Sequence, residues 1–432
     1  MRINRLAGVV LGAALLMVTA VPTASADTET ASSTAGSLDR AALRTTLDAV
    51  HEAGMYGSYS SVREGTERWT GASGLADVDT RRPVKPGMRH RVGSISKTFT
   101  AVAVLQQVER GRIRLDAPVG EYLPDLVKGE RGRDVTVRML LNHTSGIGDY
   151  FLGAFPSFAD DSTAGLDEER FRSIRPEELV RLGLAAPATG RPGEQPGSYS
   201  NTNYVIAGLL LEKVTGQNAG TYITRNVMDR AGLHATSYPR TPYIKGPHSR
   251  MYESFYGLID PPRDYSVYDM SWASTAGAIV STTDDLNRFY RALLTGKLIG
   301  PAALGEMLST VPVTAGEGSI DYGLGIYVLD LPGCGRFWGH DGAVFGAGTI
   351  ALSSRDGKRQ LAMGWNLMKY QRLNEDGTAL EPSPIDGAIN GHIAQALCPA
   401  PESREAVAGA RHLLPQGLPG VDLSPGQWVP RS

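Results

Sequence analysis

The sequence predicts an α/β fold in which strands from both ends of the chain form one sheet and a mainly helical domain is inserted between them. Candidate strands lie near residues 56–72 and again between residues 322 and 366. The long segment between them is helical or irregular, an order typical of a sheet built from both chain ends. The composition, 41% hydrophobic and 20% charged, is that of a globular protein.

The first elements are a helix and a hairpin. From residue 39 the apolar residues recur on one helical face. Two strands, residues 56–63 and 66–72, then flank Glu64-Gly65, a dipeptide typical of a hairpin turn.

Three helices are predicted in the middle of the chain. The first spans residues 94–110 and has one apolar face. The second, residues 203–215, is very apolar and ends at Gly216, the residue type favoured at a helix C-terminus. A third begins with the capping residues 283–285 and extends to about residue 294. We place the helical insertion at about residues 98–310.

Strands return near the end, and a final helix follows them. Asp356-Gly357 is a good turn between the last two strands. Isoleucine and leucine recur every fourth residue over 385–397, which predicts a helix with one buried face. The four candidate strands are residues 322–329, 336–340, 346–352 and 360–366.

The chain begins with a segment typical of export. Residues 1–26 combine a positively charged start, an apolar stretch and the small-residue cleavage site Ala24-Ser25-Ala26, which together predict a signal peptide and a secreted, extracellular protein. Residues 27–37 are predicted to be a disordered leader and residues 405–432 a flexible tail. The folded domain would therefore span residues 38–404.

The net charge and the cysteine content indicate which partners, bonds and cofactors to expect. The net charge is -2, so there is no basic excess for nucleic acid, and no later stretch of ~20 apolar residues predicts membrane insertion. In an exported chain the pair Cys334 and Cys398 suggests a disulfide, the alternative being two buried thiols. No zinc-binding spacing is present, and we expect neither a metal nor a cofactor.

The first of three short motifs is Ser94-Ile95-Ser96-Lys97, the only S-x-x-K in the chain. At the start of a helix, positions i and i+3 share a face, so the serine hydroxyl and the lysine amine can meet. A serine is a weak nucleophile that needs a nearby base, and a lysine of lowered pKa can serve. The alternative is a helix start with a capping serine and a solvated lysine.

The other two motifs are Tyr199-Ser200-Asn201, the only Y-x-N, and His340-Asp341-Gly342, the only H-x-G. A phenol beside a lysine can relay a proton, and an Asn amide can bind a peptide-like substrate. The H-x-G is predicted to end a strand, where glycine lets a substrate backbone approach. Taken alone, each motif is also compatible with an ordinary loop tyrosine or strand-end histidine.

In this order, the three motifs resemble the serine penicillin-recognising superfamily of β-lactamases, penicillin-binding proteins and DD-peptidases. The chain looks closest to the branch of class C β-lactamases, D-alanyl-D-alanine carboxypeptidases and related esterases. Further similar stretches are residues 91–93, 140–146 and 322–325. The resemblance covers about residues 40–400 and implies a β-lactamase/transpeptidase-like fold, with an antiparallel sheet flanked by the N- and C-terminal helices.

The resemblance also implies roles for site residues. Ser94 would be the acylated nucleophile, Lys97 the base or proton shuttle and Tyr199 its partner. Asn201 would bind the acyl-side amide of the substrate. His340 would replace the usual lysine of the third motif and tune protons and charge at the leaving group.

The third motif would also supply part of the substrate-binding wall. Gly342 allows close approach, and the backbone N–H groups of Ser94 and Ala343 would form the oxyanion hole. Asp341 stands where the family often has a hydroxyl residue. If it faced the site, it would repel a substrate carboxylate at ~4 Å by about 4 kcal/mol, at an effective dielectric constant of about 20. A strand side chain can instead point away.

These observations predict a secreted serine hydrolase that works through an acyl-serine intermediate. The resemblance favours a D-alanyl-D-alanine carboxypeptidase-like DD-peptidase acting on cell-wall peptides, with β-lactams as covalent ligands. An esterase, a D-amino-acid amidase and a β-lactamase of the same fold remain alternatives, as does a non-catalytic penicillin-binding protein. The substrate would be a small peptide, amide or ester.

Overall fold

The structure of the protein is a computed structural model. The predicted signal peptide, the leader at 27–37 and the tail at 405–432 lie outside the residues that it describes. The described residues are 38–160, 162–315, 318–374, 380–398 and 403–404.

Strands occur at both ends of the described chain, as the sequence predicts, and a few short ones lie between. They are β1 (Gly57–Glu64), β2 (Glu67–Asp77), β3 (Arg82–Pro83), β4 (His90–Arg91), β5 (Gly197–Ser198), β6 (Tyr252–Glu253), β7 (Arg263–Asp264), β8 (Val280–Ser281), β9 (Val311–Ala315), β10 (Gly318–Tyr322), β11 (Tyr327–Leu331), β12 (Gly335–Val344), β13 (Ala347–Ser354), β14 (Arg359–Trp365) and β15 (Leu367–Met368).

Most helices lie between these two groups of strands. They are α1 (Arg40–Glu52), α2 (Ile95–Glu109), α3 (Gly129–Asp134), α4 (Val137–Leu141), α5 (Phe151–Ala154), α6 (Ala164–Glu168), α7 (Pro176–Ala185), α8 (Asn201–Thr215), α9 (Ala219–Ile223), α10 (Ser274–Gly277), α11 (Thr283–Leu294), α12 (Pro301–Met307) and α13 (Pro384–Leu397). None of the helices in the described ranges has the length and apolarity to cross a bilayer.

The main sheet joins the two ends of the chain. Within the described residues its strand order is β3-β2-β1-β14-β13-β12-β11-β10-β9-β5. Strand β1 pairs with β14 in antiparallel register, for example Ser58 with Trp365. The pairs are antiparallel except for β5 with β9, which is parallel. The predicted sheet from both ends of the chain is therefore confirmed.

Helices cover both faces of this sheet. On one face α1 packs against α13, and Leu43, Leu47, Ile389 and Ile393 bury their side chains in one core with the strands. On the other face, helices α2, α8 and α11 share a second, larger core. This arrangement confirms the flanking terminal helices. The described residues from 38 onward form one compact unit, and the limits of the insertion, about 98–310, stay a prediction.

The predicted strand at residues 322–329 is wrong. Tyr322 ends β10 and Tyr327 begins β11, with a turn between them in which Gly323 N donates to Ile326 O at 2.7 Å. Gly325 has a φ of +77°, and a Cβ there would lie 2.6 Å from the Ala101 Cβ. The close approach of α2 thus requires a glycine turn in place of a continuous strand.

Three element boundaries also differ from the predictions. The second long helix begins at Asn201, two residues before the predicted start at 203. The cap of α11 is Thr282, whose side chain accepts from Asp285 N. Strand β12 continues through the H-x-G motif to Val344, so His340 does not end it. The motif is held inside the sheet because β13 pairs with β12 over this whole length.

The disulfide is formed. Cys334, in the turn between β11 and β12, is bonded to Cys398 at the end of α13, with Cα atoms 4.7 Å apart. The alternative of two buried thiols is wrong. The bond fastens α13 to the strand pair β11 and β12, which carries the third motif.

Candidate active site

The nucleophile motif lies at the beginning of α2. Ser94 is the residue before the first helical turn, and in the described chain its hydroxyl makes no capping bond to the helix. Lys97 lies one turn later, and its Nζ donates to Ser94 Oγ at 2.9 Å. Both side chains are buried. The alternative of a capping serine beside a solvated lysine is therefore wrong for this motif.

Lys97 is enclosed by acceptors. Its Nζ donates to Asn201 Oδ1 at 2.7 Å and to the Ala276 carbonyl at 3.1 Å. Burial lowers the pKa of Lys97 to about 7, and the carboxylates of Asp149 and Asp341 oppose that shift. A substantial fraction of the amine is therefore neutral near pH 7, which is the form that accepts a proton from the serine.

Tyr199 lies next to Ser94. Burial raises its pKa well above 10, an effect that interaction with the Ser94 side chain partly offsets. Its hydroxyl is buried and has no hydrogen-bond partner among the described residues. Lys97 Nζ lies 4.8 Å from the centre of the tyrosine ring. The neutral phenol is thus available to exchange a proton with groups that enter the site.

His143 supports Tyr199 from behind. The two rings stack with their centres 4.1 Å apart. His143 has a φ of +61°, and its Nδ1 accepts from the backbone N–H of Ser200 at 3.2 Å. Burial, assisted by the Lys97 charge, lowers the pKa of His143 well below 6.5. The ring is neutral, so it positions the tyrosine without adding charge.

The third motif presents a neutral histidine. His340 Nδ1 donates to the Asp341 carbonyl at 2.5 Å, which leaves Nε2 to accept from the Tyr322 hydroxyl at 2.8 Å. Burial lowers the pKa of His340 to about 3, and the positive charge of Lys97 contributes to this shift. Both nitrogens of the His340 ring already have hydrogen-bond partners. His340 therefore contacts the site through Tyr322 and through its own imidazole ring.

Asp341 is buried beside this histidine. Its Oδ1 lies 3.6 Å from His340 Nδ1. Burial raises the pKa of Asp341 to about 7, opposed by its own backbone, by Lys97 and by Tyr327. The carboxyl group therefore lies within electrostatic range of the site lysine, although it is not among the residues that line the cleft beside Ser94.

Glycines bring strand β12 against the nucleophile turn. A Cβ on Gly342 would lie 2.0 Å from the Val92 carbonyl oxygen and 2.8 Å from Ser94 N. A Cβ on Gly93 would lie 2.6 Å from Ala343 N. The backbones of Ser94 and Ala343 are thus neighbours at one edge of the cleft, the arrangement that two oxyanion-hole donors require.

A narrow cleft opens beside Ser94. Its wall is partly aromatic, and the rings of Phe151 and Trp272 belong to a larger cluster that includes Phe155 and Phe345. The opposite edge is the backbone of β12. The lining residues are Ser94, Tyr150, Phe151, Asn201, Trp272, Ala273, Ala276, Gly277, Ala343 and Val344.

The structure brings the predicted residues of all three motifs together, and it adds four that sequence reasoning missed. His143 lay within a stretch noted for its resemblance, but without a role. Tyr322 likewise lay within such a stretch, at 322–325, but without a role, whereas Asp149 and the Ala276 carbonyl carried no pattern that marks them. In the described part of the chain no three His, Cys, Asp or Glu side chains are grouped so as to hold a metal ion.

Comparison with known proteins identifies the family. Residues 42–381 match the protein family described as Beta-lactamase. The chain belongs to this beta-lactamase family. A crystal structure of a D-stereospecific amidohydrolase from Streptomyces sp. superposes on it with a TM-score of 0.72 and 36% identity, covering 84% of this chain and 99% of the other.

Two curated proteins are also similar to this chain. Penicillin-binding protein 4* of Bacillus subtilis (strain 168) is 29% identical over 325 residues, 73% of this chain and 67% of its own length. Esterase EstB of Burkholderia gladioli is 34% identical over 212 residues, 46% of this chain and 53% of its own length. Together with the site, these relatives identify a serine hydrolase of the beta-lactamase fold.

Proposed function

We propose that the protein hydrolyses D-aminoacyl amides and esters through an acyl intermediate on Ser94. The observation that carries this proposal is the 2.9 Å contact between Lys97 Nζ and Ser94 Oγ, in surroundings that lower the pKa of the lysine to about 7. The similarity over 84% of the chain to a D-stereospecific amidohydrolase supports the substrate class.

The chemistry follows from the contacts of the site. Ser94 Oγ attacks the substrate carbonyl while its proton passes to neutral Lys97, and the oxyanion is held by the N–H groups of Ser94 and Ala343. The amine or alcohol then leaves with a proton supplied through Tyr199. In the second half, water attacks the acyl-serine ester and gives a proton to Lys97 or Tyr199, which passes it to Ser94 Oγ as the acid is released.

Asp341 favours leaving groups without a carboxylate. Its buried side chain lies within electrostatic range of Lys97, so a negative charge bound at the third motif would add to the charge of Asp341 whenever that group is ionised. A D-alanyl-D-alanine peptide brings such a carboxylate, whereas an amide or ester does not. We therefore place neutral amides and esters first.

A DD-carboxypeptidase is the second candidate. Similarity to penicillin-binding protein 4* and the resemblance of the three motifs favour it. In this case cell-wall peptides are the substrates, and β-lactams acylate Ser94. The two candidates share every step at the serine and differ in the group that leaves.

A substrate panel separates the candidates. We expect turnover of D-phenylalanine amide and of a nitrophenyl ester, weak turnover of a D-Ala-D-Ala peptide, and none with Ser94→Ala. L-phenylalanine amide is the matched stereochemical control. Asp341→Thr should raise kcat/KM for the peptide by about tenfold, equivalent to about 1.4 kcal/mol. Efficient cleavage of the peptide, unchanged by Asp341→Thr, would decide for the carboxypeptidase.

Export belongs to the proposal as well. The signal-like residues 1–26 and the disulfide between Cys334 and Cys398 both fit an oxidising compartment outside the cytoplasm. Mass spectrometry of protein collected from the culture medium should find a mature N-terminus near Asp27. Retention of the full chain inside the cell would contradict export.

A further inference from the structure

We propose that Asp149 is a positioning residue, which fixes the amide of Asn201 so that its oxygen faces Lys97 and its nitrogen serves the substrate. The inference rests on the acyl-serine function proposed above. Asp149 is not part of any of the three motifs, and it does not line the cleft. It acts on the site through Asn201.

Asp149 accepts hydrogen bonds from both the backbone and the side chain of Asn201. Asp149 Oδ2 accepts from Asn201 N at 2.5 Å and from Asn201 Nδ2 at 3.0 Å. Asp149 Oδ1 accepts from Phe151 N at 2.9 Å, which holds the carboxylate itself in place. The backbone and the side chain of Asn201 are therefore fastened at once, at the first residue of α8.

The chemistry of a carboxylate decides which way the amide points. An ionised carboxylate only accepts hydrogen bonds, so the group that faces it must be the NH₂ end of Asn201. The oxygen end is then turned toward Lys97, where Oδ1 accepts from Nζ at 2.7 Å. A rotated amide would set its NH₂ against the lysine amine, donor against donor. Asn201 also lines the cleft, so its fixed orientation presets how it meets a substrate amide.

Asp149 also acts on Lys97 by charge. Its carboxylate raises the lysine pKa against the effect of burial, as does that of Asp341. The pKa of Asp149 is itself raised to about 6 by desolvation, opposed by the hydrogen bonds from Asn201 and Phe151. The titratable groups that face Lys97 are Asp149, Asp341, His143, His340, Tyr199 and Tyr204.

The test is Asp149→Asn, assayed with a nitrophenyl ester across pH. Asparagine keeps the size of the side chain but removes the charge and the requirement for an NH₂ group opposite. We expect kcat/KM at the pH optimum to fall about tenfold or more. The acidic limb of the pH profile of kcat/KM should also move to lower pH, because Lys97 loses a neighbouring negative charge that raises its pKa. A purely structural role would lower activity without moving the limb.

Asp285→Asn is the matched control. Asp285 is buried, and it also ties a loop by accepting from a backbone N–H, that of Ala235 at 2.8 Å, but far along the chain from the motifs. It should lower the thermal stability and leave the limb in place. In an Asn201→Ala background, Asp149→Asn should cost much less kcat/KM than in the wild type. An equal loss in both backgrounds would overturn the inference.

A second variant carries the test if Asp149→Asn does not fold. Asp149→Glu keeps the charge and the acceptors, but displaces them by one methylene. It should keep the limb near its wild-type position while kcat/KM falls, and kcat/KM unchanged within twofold would overturn the inference. The ester reports only acyl transfer by Ser94. Failure of D-aminoacyl amides as substrates would therefore refute the proposed function and leave the role of Asp149 testable.

Discussion

Replacing Gly342 with alanine tests the contact that joins strand β12 to the nucleophile turn. The added Cβ would lie 2.0 Å from the Val92 carbonyl oxygen and 2.8 Å from Ser94 N, and both are backbone atoms that cannot rotate away. The strand or the turn must therefore shift. Overpacking of this kind costs typically about 1–3 kcal/mol of the free energy of unfolding.

The effect on catalysis should exceed the effect on stability. The shift separates Ser94 from the backbone of Ala343, the two groups that would share the oxyanion. A displacement of about 1 Å can cost about a hundredfold in rate, so we expect kcat/KM for a nitrophenyl ester to fall by that order. Chemical denaturation measured on the same preparation gives the stability change independently.

Gly391→Ala is the matched control. Gly391 lies within α13, has no positive φ, and a Cβ there would meet no atom within 4 Å. Alanine is favoured over glycine within a helix by about 0.5–1 kcal/mol, so this variant should be slightly more stable and fully active. If Gly342→Ala behaves like Gly391→Ala, with kcat/KM within twofold of wild type, the close contact does not position the oxyanion donors.

Three further perturbations probe the proton relay and the disulfide. The kcat/KM for acylation should fall as the pH drops below about 7, because a protonated Lys97 can no longer accept the proton of Ser94. The His340→Gln variant should show the same fall, since His340 stays neutral down to a pH of about 3. Lys97→Ala and Tyr199→Phe should each lower kcat by orders of magnitude, while the double variant is little worse than either; multiplied losses would argue against one relay. Replacing Cys334 and Cys398 with serine should lower the free energy of unfolding by about 2–4 kcal/mol in urea titrations, and an unchanged midpoint would contradict this.

Local rules predicted those parts of the site that lie on one regular element. The spacing of Ser94 and Lys97 predicts that they lie on one face of a helix, and at the beginning of α2 the two side chains are indeed hydrogen-bonded. The apolar helix that ends at Gly216 and the hairpin of β1 and β2 follow from equally local patterns. Order along the chain then supplied the resemblance that related the three motifs to one another.

What the sequence could not indicate depends on contacts between distant elements. Asp149 follows no pattern, and its role appears only where its carboxylate meets the beginning of α8. The Ala276 carbonyl has no side-chain signal at all. The turn after Tyr322 replaces a predicted strand because α2 passes beside Gly325, and periodicity carries no information about that neighbour. The proximity of Asp341 to Lys97 likewise could be recognised only from the three-dimensional structure.

The pairing of β1 with β14 has a consequence for biosynthesis. Ser58 meets Trp365, so the first strand waits for its partner until nearly the whole polypeptide has been made. Such distant pairings close large loops and slow folding. A nascent chain that ends before β12 lacks the strand that abuts Ser94. The complete site can therefore form only after Val344, the end of β12, has been added, late in the synthesis of the chain.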